Sequence, residues 1–474
     1  MAAMKRPSLF LAAVVVVASL IARAAAASPP ARPNIVFILA DDLGYGDLGC
    51  YGQKRIQTPR IDRLAAEGTR FTQCYAGSTV CAPSRCSLMT GLHQGHARVR
   101  GNAGRQNPLA QSLRPGDVTV ARVLKDAGYT TALIGKWGLG DVDGAEVGLP
   151  RRQGFDYFFG YLNQRHAHNY YPTFLWRNEE KVPLRNTVPK EDASGAGVSD
   201  NKLDYSADLI ADEALAFLRR AKDRPFFLYF APTLPHANNE AGKLGMEVPD
   251  LGPYKDLDWP PAQKAHAAMI ARLDRDVGRL LDLLKDLGLE QKTIVFFSSD
   301  NGPHREGGND PNFNDSNGPL RGIKRDMYEG GIRTPMIVRW PGRVPAGRVS
   351  DRVWAFWDFL PTAAALAGAK APRGLDGISM LPAIEGRKQR RQHEYLYWEF
   401  HEGGFKQAIR AGDWKGVRLA PGKPLELYDL RTDLGETNNV AAANPQVVKR
   451  LDALLAKART DSPDWPVKSL PAKR

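Results

Sequence analysis

Near the start of the chain stands NIVFILADD, residues 34–42, an almost wholly apolar run with two acids directly after it. A continuous apolar run of this length, rich in β-branched residues, is typical of a strand buried on both faces of a parallel sheet. Similar runs follow at TALI 131–134, PFFLYF 225–230 and TIVFF 293–297, with helical periodicity between them. This alternation predicts an α/β fold in which a large, mostly parallel sheet is sandwiched by helices.

The pattern changes after a helix predicted at residues 358–368. Short aromatic segments at 395–400, 407–410, 414–418 and 425–430 predict a small antiparallel sheet, followed by a helix at 446–458. A chain of 474 residues is long enough for two units of this kind. We therefore expect a main domain at residues 28–385 and a C-terminal α+β subdomain at residues 386–474.

The first 27 residues predict a cleaved secretory signal peptide. Lys5 and Arg6 precede an apolar run at residues 9–21, and four alanines at 24–27 follow it. This is the order of charged region, apolar region and small-residue cleavage site. The apolar run is too short to span a bilayer. We expect an exported protein, periplasmic or secreted, with no stable membrane anchor.

Charge and cysteine content narrow the possible partners. The net charge is +13, and the predicted signal holds three of the basic residues and no acid. Export argues against a nucleic-acid partner, whereas a positive field attracts a polyanionic substrate. The four cysteines (Cys50, Cys74, Cys81 and Cys86) are too few to frame a protein of this size by disulfides.

A polar side chain follows each of four predicted strands. In chain order these are Asp41 and Asp42, then Lys136, then His236, then Asp300 and Asn301. Open parallel sheets bind ligands at the carboxyl edge of their strands. The oxygen donors of Asp41, Asp42, Asp300 and Asn301 suit a hard divalent cation, with Ca²⁺ favoured over Mg²⁺ and over zinc. Asp-Asp and Asp-Asn-Gly are also ordinary turn residues, so other motifs must support a metal site.

Residues 81–91 read CAPSRCSLMTG, and this stretch resembles the signature of the type I sulfatases. In that family a formylglycine-generating enzyme oxidises the cysteine to Cα-formylglycine, whose hydrated form is the nucleophile. The resemblance makes Cys81 the nucleophile and a metal ligand, with Arg85 orienting it or shielding its charge. Cys81 directly precedes a predicted helix with Pro83 in its first turn, where the helix dipole favours a negative group.

Two further segments extend the resemblance. LRGIK at 320–324, with YEGGIRTP at 328–335, is similar to the sulfatase Lys-x₃-Tyr-Glu-Gly-Gly-x-Arg-x-Pro segment. It implies that Lys324 contacts the sulfate and the metal site. ELYDL at 426–430 with GETNN at 435–439 resembles the C-terminal hairpin of the family. The family-like segments span residues 33–439 and imply the alkaline-phosphatase-like fold of the sulfatases.

The resemblance also implies a reaction, the hydrolysis of sulfuric esters. One hydroxyl of the hydrated aldehyde attacks sulfur and expels the substrate alcohol, and deprotonation of the second hydroxyl then releases sulfate. The cation, Arg85, Lys136 and Lys324 offset charge on the sulfuryl oxygens. His236 is the candidate acid for the leaving oxygen. Export, charge and an aromatic segment at residues 155–176 favour a sulfated carbohydrate over a small aryl sulfate.

One family residue is absent. The family's Gly-Lys-Trp-His-Leu-Gly reads GKWGLG at residues 135–140, so Gly138 stands where the resemblance places the base for sulfate release. We expect another group to replace that base, and His166, His168 and His304 are the candidates.

Residues 155–176, outside the predicted core strands, are rich in aromatic residues, asparagine and histidine. The segment either forms a sugar-binding wall or packs the rim of the domain. His166 and His168 within it are candidates for substrate binding, as is His401, which would reach the pocket from the C-terminal subdomain.

Two alternatives remain open. A phosphonate monoester or phosphodiester hydrolase of the same superfamily would also use formylglycine and an Asp/Asn metal site. A non-catalytic homologue that binds sulfated glycans would keep the fold and lose turnover, and Gly138 is the feature that favours it.

Overall fold

The computed structural model describes residues 32–103, 107–142 and 144–467. The predicted signal peptide at residues 1–27 therefore lies outside the described residues. The strands are β1 (Asn34–Ala40), β2 (Thr69–Tyr75), β3 (Thr130–Lys136), β4 (Tyr157–Tyr161), β5 (Phe174–Arg177), β6 (Glu180–Pro183), β7 (Phe226–Ala231), β8 (Thr293–Ser299), β9 (Arg333–Arg339), β10 (Arg348–Ser350), β11 (Trp354–Ala355), β12 (Leu396–Phe400), β13 (Lys406–Ala411), β14 (Trp414–Arg418) and β15 (Glu426–Asp429). The helices are α1 (Pro59–Ala66), α2 (Cys81–Thr90), α3 (Val120–Asp126), α4 (Ser206–Ala221), α5 (Pro261–Asp286), α6 (Glu329–Ile332), α7 (Phe359–Leu366), α8 (Leu381–Ile384) and α9 (Pro445–Lys457).

The main sheet is mostly parallel, as predicted. Its strand order is β10-β2-β9-β8-β1-β7-β3-β4-β5-β6, and β11 pairs with β2. The run from β8 through β1, β7 and β3 to β4 is parallel throughout. Antiparallel pairings join β9 to β2 and β8 on one side, and β5 to β4 and β6 on the other. The parallel centre places five neighbouring carboxyl ends at one edge.

Both faces of the sheet are covered. Side chains alternate along β1, so that Val36 and Ile38 lie in one apolar core while Ile35 and Phe37 lie in the other. Helices α1, α4 and α5 contribute to the first core, and α2, α3 and α7 contribute to the second. This arrangement explains why the strands are apolar throughout rather than alternating, and it confirms the predicted sandwich of sheet and helices.

The C-terminal sheet is antiparallel in the order β12-β13-β14-β15, and α9 packs on it. Its other face meets the main body at an apolar seam where Trp398 of β12 packs with Tyr75 of β2 and with Trp357. The predicted strands and helix differ from the observed bounds by one or two residues. The domain boundary at residues 385/386 stays a prediction.

The expectation that residues 155–176 lie outside the core strands is wrong. β4 occupies Tyr157–Tyr161 and pairs in parallel with β3, which makes it part of the main sheet. Tyr161 and Tyr170 are fully buried, and their hydroxyls donate to the carbonyl oxygens of Asn169 (2.6 Å) and Thr233 (2.8 Å). These tyrosines therefore pack the domain.

Two simple features complete the fold. Within the described ranges, no helix combines the length and apolar character that crossing a membrane requires. Cys50, Cys74, Cys81 and Cys86 are all free thiols, so packing, not disulfides, holds the described chain together.

Candidate active site and metal centre

Side chains from four neighbouring strands converge at one edge of the main sheet. Asp41 and Asp42 follow β1, Asp300 follows β8, His236 lies beyond β7 and Lys136 ends β3. All five are at most 1% exposed. Because β8, β1, β7 and β3 are adjacent and parallel, the order of the strands brings together residues that lie far apart in the sequence.

Asp42 lies at the centre of this group. Its backbone φ is +64°, in the left-handed region that aspartate adopts more readily than most residues. Its backbone N–H donates to Oδ1 of Asp300 (3.1 Å). Its carboxylate accepts from Nδ2 of Asn301 (2.7 Å) and from Nζ of Lys324 (2.8 Å). The turn after β1 thus holds the two acidic segments and the predicted sulfate-binding lysine together.

Arg85 and Lys136 neutralise the other two carboxylates. Nε and Nη2 of Arg85 donate to Oδ2 of Asp300 (3.1 and 2.9 Å), and Nζ of Lys136 donates to Oδ2 of Asp41 (2.6 Å). Nη1 of Arg85 also donates to the carbonyl oxygen of Lys136 (2.9 Å). Arg85 therefore joins helix α2 to the ends of β3 and β8.

The residues present fit a divalent cation. Oδ1 of Asp41 and Oδ1 of Asn301 are buried and have no hydrogen-bond partner among the described residues. Ligand atoms of Asp41, Cys81 and Asp300 lie within 4.8 Å of one another. Carboxylate and amide oxygens are the donors that hard cations prefer. The donor set of Asp41, Asp42, Asp300 and Asn301 can therefore hold a hard cation next to Cys81.

The pKa values at the edge show an excess of negative charge. Burial alone would raise the pKa of Asp41 and Asp42, but Lys136 and Lys324 outweigh it and hold both values well below the usual range. For Asp300, burial and the charge of Asp41 raise the pKa to about 7 despite Arg85. The cations present thus do not stabilise every carboxylate of the group, and a bound divalent cation would supply the missing positive charge.

Cys81 is the first residue of α2 and is 4% exposed. The backbone N–H of the next residue, Ala82, donates to Oδ1 of Asn102 (3.3 Å). Burial raises the pKa of the Cys81 thiol to about 11, although Lys136 opposes the shift. At neutral pH the unmodified side chain is therefore a thiol and not a reactive thiolate.

His236 accepts a hydrogen bond from Lys324 in this arrangement. Its Nδ1 lies 2.7 Å from the carbonyl oxygen of Ala237, so that nitrogen carries the proton and donates it. Nε2 is left as an acceptor, 3.2 Å from Nζ of Lys324. Burial, aided by Lys324, lowers the pKa of His236 to about 3. The role of His236 as the acid stays a prediction, and Lys324 is the neighbouring group that carries a proton in this geometry.

Glu306 belongs to the site but was not predicted from the sequence. Its Oε2 accepts from Nζ of Lys324 (2.8 Å), and its Oε1 accepts from Arg325 (2.6 Å).

Arg325 also donates to Glu402, which accepts from Nδ2 of Asn102 (3.0 Å). A chain of polar contacts thus runs from the active-site lysine through the C-terminal sheet region to the start of α2. The available signal was the position of Glu306, on the same segment after β8 as Asp300.

Two predicted histidines lie beside His236. The ring of His168 stacks on it with centroids 4.9 Å apart, and Nδ1 of His168 lies 3.1 Å from Glu240. The ring of His304 lies 6.1 Å from that of His236 on a near-parallel plane, with its Nε2 3.2 Å from the carbonyl oxygen of Pro235. Both remain candidates for proton transfer or substrate contact.

The other two predicted histidines pack elsewhere. His166 is fully buried between the rings of Tyr161 and Phe174, and burial lowers its pKa to about 3. His401 pairs with Glu399 at 3.0 Å and packs against aromatic rings of the C-terminal region. Among the described residues, neither forms a hydrogen bond, ion pair or ring contact with the group around Lys324.

The place of the missing family histidine is filled by a glutamine. Gly138 has φ +82°, and a Cβ on it would lie 2.3 Å from Nε2 of Gln164. A side chain at position 138 would therefore displace the Gln164 carboxamide. Gln164 is not among the three histidines predicted as replacements for the family base.

Comparisons with known proteins identify the family of the chain. The family model described as Sulfatase matches residues 33–369, and the one described as N-sulphoglucosamine sulphohydrolase, C-terminal, matches residues 323–461. Arylsulfatase A of Homo sapiens is 34% identical over 94% of this chain and 91% of its own. The N-acetylgalactosamine-6-O-sulfatase of Bacteroides thetaiotaomicron is 33% identical over 90% and 93%. The solved structure of Ps i-CgsB in complex with k-i-k-neocarrahexaose matches with a TM-score of 0.76 at 28% identity, covering 92% of this chain and 95% of that one.

Proposed function

Because the chain belongs to the sulfatase family, we propose that it removes sulfate from sulfated carbohydrates by means of a Cα-formylglycine made from Cys81 and a Ca²⁺ ion. The observation that carries the proposal is the convergence of Cys81, Arg85 and Lys136 with the acids after β1 and β8 at one buried sheet edge. This is a nucleophile position surrounded by groups that stabilise anionic oxygens.

The choice of a carbohydrate substrate rests on the relatives and on charge. One relative is named for a sulfated amino sugar, N-acetylgalactosamine-6-sulfate, at 33% identity over most of both chains. The net charge of +13 favours the approach of a polyanionic ester. A sulfated sugar satisfies both observations better than an uncharged or cationic ester does.

The donor set favours Ca²⁺ over Mg²⁺. Four protein side chains with oxygen donors (Asp41, Asp42, Asp300 and Asn301) surround the site, whereas Mg²⁺ usually keeps several waters and few protein ligands. When bound, the cation would supply Lewis-acid stabilisation of negative charge at the reacting oxygens. Four carboxylates, with Glu306 included, face four cationic side chains when Arg325, the partner of Glu306, is counted. A divalent cation therefore adds a net positive charge that suits the anionic sulfate monoester.

The surrounding residues have separate tasks in this proposal. Lys136 and Arg85 hold positive charge beside the nucleophile and fix the start of α2 against the strand ends. Lys324 binds a sulfuryl oxygen and, paired with His236, supplies the proton that the leaving alcohol oxygen needs. The hydrated aldehyde at position 81 forms the bond to sulfur as the bond to that alcohol breaks. A base then takes the proton of its second hydroxyl, with His168 and His304 as the candidates, and the C–O bond to the sulfate breaks, which releases sulfate and restores the aldehyde.

The partner that installs the aldehyde must act before folding is complete. Cys81 is 4% exposed, and Ala82, Ser84 and Arg85 are fully buried. A formylglycine-generating enzyme therefore reaches the motif only in the extended chain. We place this step during export through the signal at residues 1–27, which delivers the protein to the periplasm or the medium.

The test is a sulfate-release assay on purified protein matured in the presence of a formylglycine-generating enzyme. The panel contains N-acetylgalactosamine 6-sulfate, glucosamine 6-sulfate, sulfated galactan oligosaccharides and 4-nitrophenyl sulfate, with a phosphonate monoester and a phosphodiester as comparators. Cys81→Ala is the matched control. We expect Cys81-dependent release of sulfate from a sugar ester. Faster turnover of the phosphorus esters, or binding of sulfated sugars with no turnover, would contradict the proposal.

A further inference from the structure

A cavity of about 320 Å³ lies next to Gly138, just beyond the end of β3 at the carboxyl edge of the main sheet (the catalytic edge). Its wall includes Gly138, which lies two residues beyond Lys136, and residues 162–165 from the segment after β4. Its volume lies within the range typical of small-molecule sites, roughly 300–1,000 Å³. The cavity is therefore large enough to hold a small ligand such as one sugar residue.

Three carboxamides line this cavity, and two of them are bound to the protein. Nε2 of Gln111 donates to the carbonyl oxygen of Gly138 (3.1 Å), and its Oε1 accepts from the backbone N–H of Ala103 (2.9 Å). Nδ2 of Asn163 donates to the carbonyl oxygen of Ser194 (3.2 Å), and its Oδ1 accepts from a backbone N–H (2.8 Å). Both side chains shape the wall.

Gln164 is the third carboxamide and differs from the other two. Its Oε1 and Nε2 are both buried, and neither has a hydrogen-bond partner among the described residues. An unpaired buried donor or acceptor costs free energy, and buried polar groups in native proteins are nearly always paired. The Gln164 carboxamide therefore has an unpaired NH₂ donor group and an unpaired carbonyl acceptor, which a ligand in the cavity would satisfy after the side chain turns toward it.

The backbone holds Gln164 against the catalytic edge. The N–H of Gly138 donates to the carbonyl oxygen of Leu162 (2.9 Å), which extends the pairing of β3 with β4 beyond the strand ends. Four residues after Gln164, His168 stacks on His236. The glutamine thus lies on a short segment that contacts the active site at both ends, and the absence of a side chain at position 138 gives it room.

We propose that Gln164 recognises the sugar of the substrate, with its carboxamide hydrogen-bonded to a pair of neighbouring sugar hydroxyls. The proposal rests on the proposed sulfatase function and names a specificity residue for it. One hydroxyl accepts from Nε2 and the other donates to Oε1, which satisfies both ends of the amide. A small aryl sulfate has no such pair of groups and does not use the contact.

The experiment compares Gln164→Met with the wild type on two substrates. Methionine has a similar length and fills the space above Gly138 without hydrogen bonds. One substrate is the sulfated sugar of the panel above that the wild type hydrolyses fastest, and the other is 4-nitrophenyl sulfate. We expect kcat/KM for the sugar to fall about 10- to 100-fold, mainly through KM, with the aryl sulfate changed by less than about threefold. Gln446→Met, at an exposed position of α9, is the matched control.

The outcomes separate this proposal from the function on which it rests. Equal losses on both substrates, or no loss on the sugar, would overturn the role of Gln164 in sugar recognition. A wild type that hydrolyses neither substrate would overturn the proposed function instead. In that case, calorimetry measures the affinity of the sulfated sugars for Cys81→Ala and for Cys81→Ala with Gln164→Met. Equal affinities of the two variants would contradict the role of Gln164.

A double-mutant cycle tests the contact between Gly138 and Gln164. Gly138→Ala pushes a Cβ into the carboxamide and also strains the backbone at φ +82°. The strain is the same in the wild-type and Gln164→Ala backgrounds, so it cancels in the cycle. We expect Gly138→Ala to raise the KM for the sugar by a smaller factor in the Gln164→Ala background. Equal factors in both backgrounds would show that position 138 does not act through Gln164.

Discussion

Two buried clusters of charge in this molecule satisfy their carboxylates differently. At the seam between the two sheets, Glu329 accepts from Lys415 (2.8 Å) on one oxygen and from Arg333 (3.1 Å) on the other. At the catalytic edge, Asp41 accepts from Lys136 (2.6 Å) on one oxygen, and its other oxygen has no partner among the described residues. Glu329 and Asp41 are equally inaccessible to water.

The difference separates Glu329, whose carboxylate is saturated by protein groups, from Asp41, whose carboxylate still has an oxygen available to a cation. Burying ions is costly unless partners within the protein replace the lost water. The carboxylate of Glu329 has these partners, with Tyr75 donating as well (2.7 Å), so this cluster fastens the C-terminal sheet to the main body. The catalytic edge leaves oxygens of Asp41 and Asn301 unpaired, which a bound cation would satisfy.

The largest effect is expected for the nucleophile. Cys81→Ala removes the only side chain proposed to bond to sulfur, so turnover should fall on the order of 10⁵-fold. Because no residue of the seam cluster is altered, the melting temperature should stay within a few degrees. Sulfate release and thermal unfolding measure the two quantities. Sulfate release that survives the change would break the link between the catalytic edge and activity.

Removal of the metal ion is expected to have the second-largest effect on activity. Dialysis against a chelator should lower kcat by about 10³-fold, because the charge that stabilises the reacting oxygens is lost. Ca²⁺ should restore activity and raise the unfolding free energy by about 2.7 kcal/mol at a concentration 100 times its dissociation constant. Asp300→Asn should abolish this stabilisation by Ca²⁺. A chelated protein that keeps full activity would contradict the contrast between the clusters.

At the seam, Lys415→Met should affect stability and leave chemistry intact. The change leaves the buried Glu329 carboxylate without its lysine and should lower the unfolding free energy by about 3–5 kcal/mol. kcat/KM at a temperature where the protein is folded should change by less than about threefold. Denaturant unfolding and steady-state kinetics provide the measurements, and Lys457→Met on the exposed face of α9 is the control. A loss of activity without a loss of stability would contradict the structural role of the seam cluster.

A smaller effect is expected from His393, which joins the segment before β12 to Asp358 (2.8 Å). Burial lowers the pKa of His393, but the charge of Asp358 outweighs it and raises the pKa above its ordinary value. Protonated His393 is therefore favoured in the folded state, so its contribution is complete below the unfolded pKa and is lost as pH rises through the folded pKa.

The measurement is the difference in unfolding free energy between the wild type and His393→Gln. It should be about 1–2 kcal/mol at a pH below the ordinary pKa of histidine and shrink as the pH rises through the raised pKa of His393. A difference that grows with pH would show that the ion pair does not stabilise the seam. Activity on a sulfate ester should be unaffected, since His393 pairs with Asp358 and not with a residue of the catalytic edge.

The catalytic edge was largely predictable because its residues follow buried strands. Asp41, Asp300 and Lys136 each come at or directly after an apolar run, and parallel strands expose such residues at one edge. The chemical roles of these residues could not be predicted from the sequence in the same way. The proton position on His236 depends on the carbonyl oxygen of Ala237 and on Lys324, which only the folded chain brings to it.

Gln164 and Glu306 were not predicted from the sequence, and the reasons are physical. The contact of Gln164 with Gly138 depends on the pairing of β4 with β3, and the aromatic run YFFGY at 157–161 was interpreted as part of a loop. Glu306 lies on a long loop, where an acid is usually solvated. Its role follows from the contact with Lys324, which comes from a different loop. Contacts between loops leave no periodic signal in the sequence.

The most direct test of the account is the mass of the tryptic peptide Phe71–Arg85 from protein active on a sulfate ester. The account predicts a mass in which an aldehyde replaces the thiol of Cys81, with activity rising in proportion to the modified fraction. An active preparation in which this peptide carries only the unmodified thiol would contradict the nucleophile on which the proposed reaction depends.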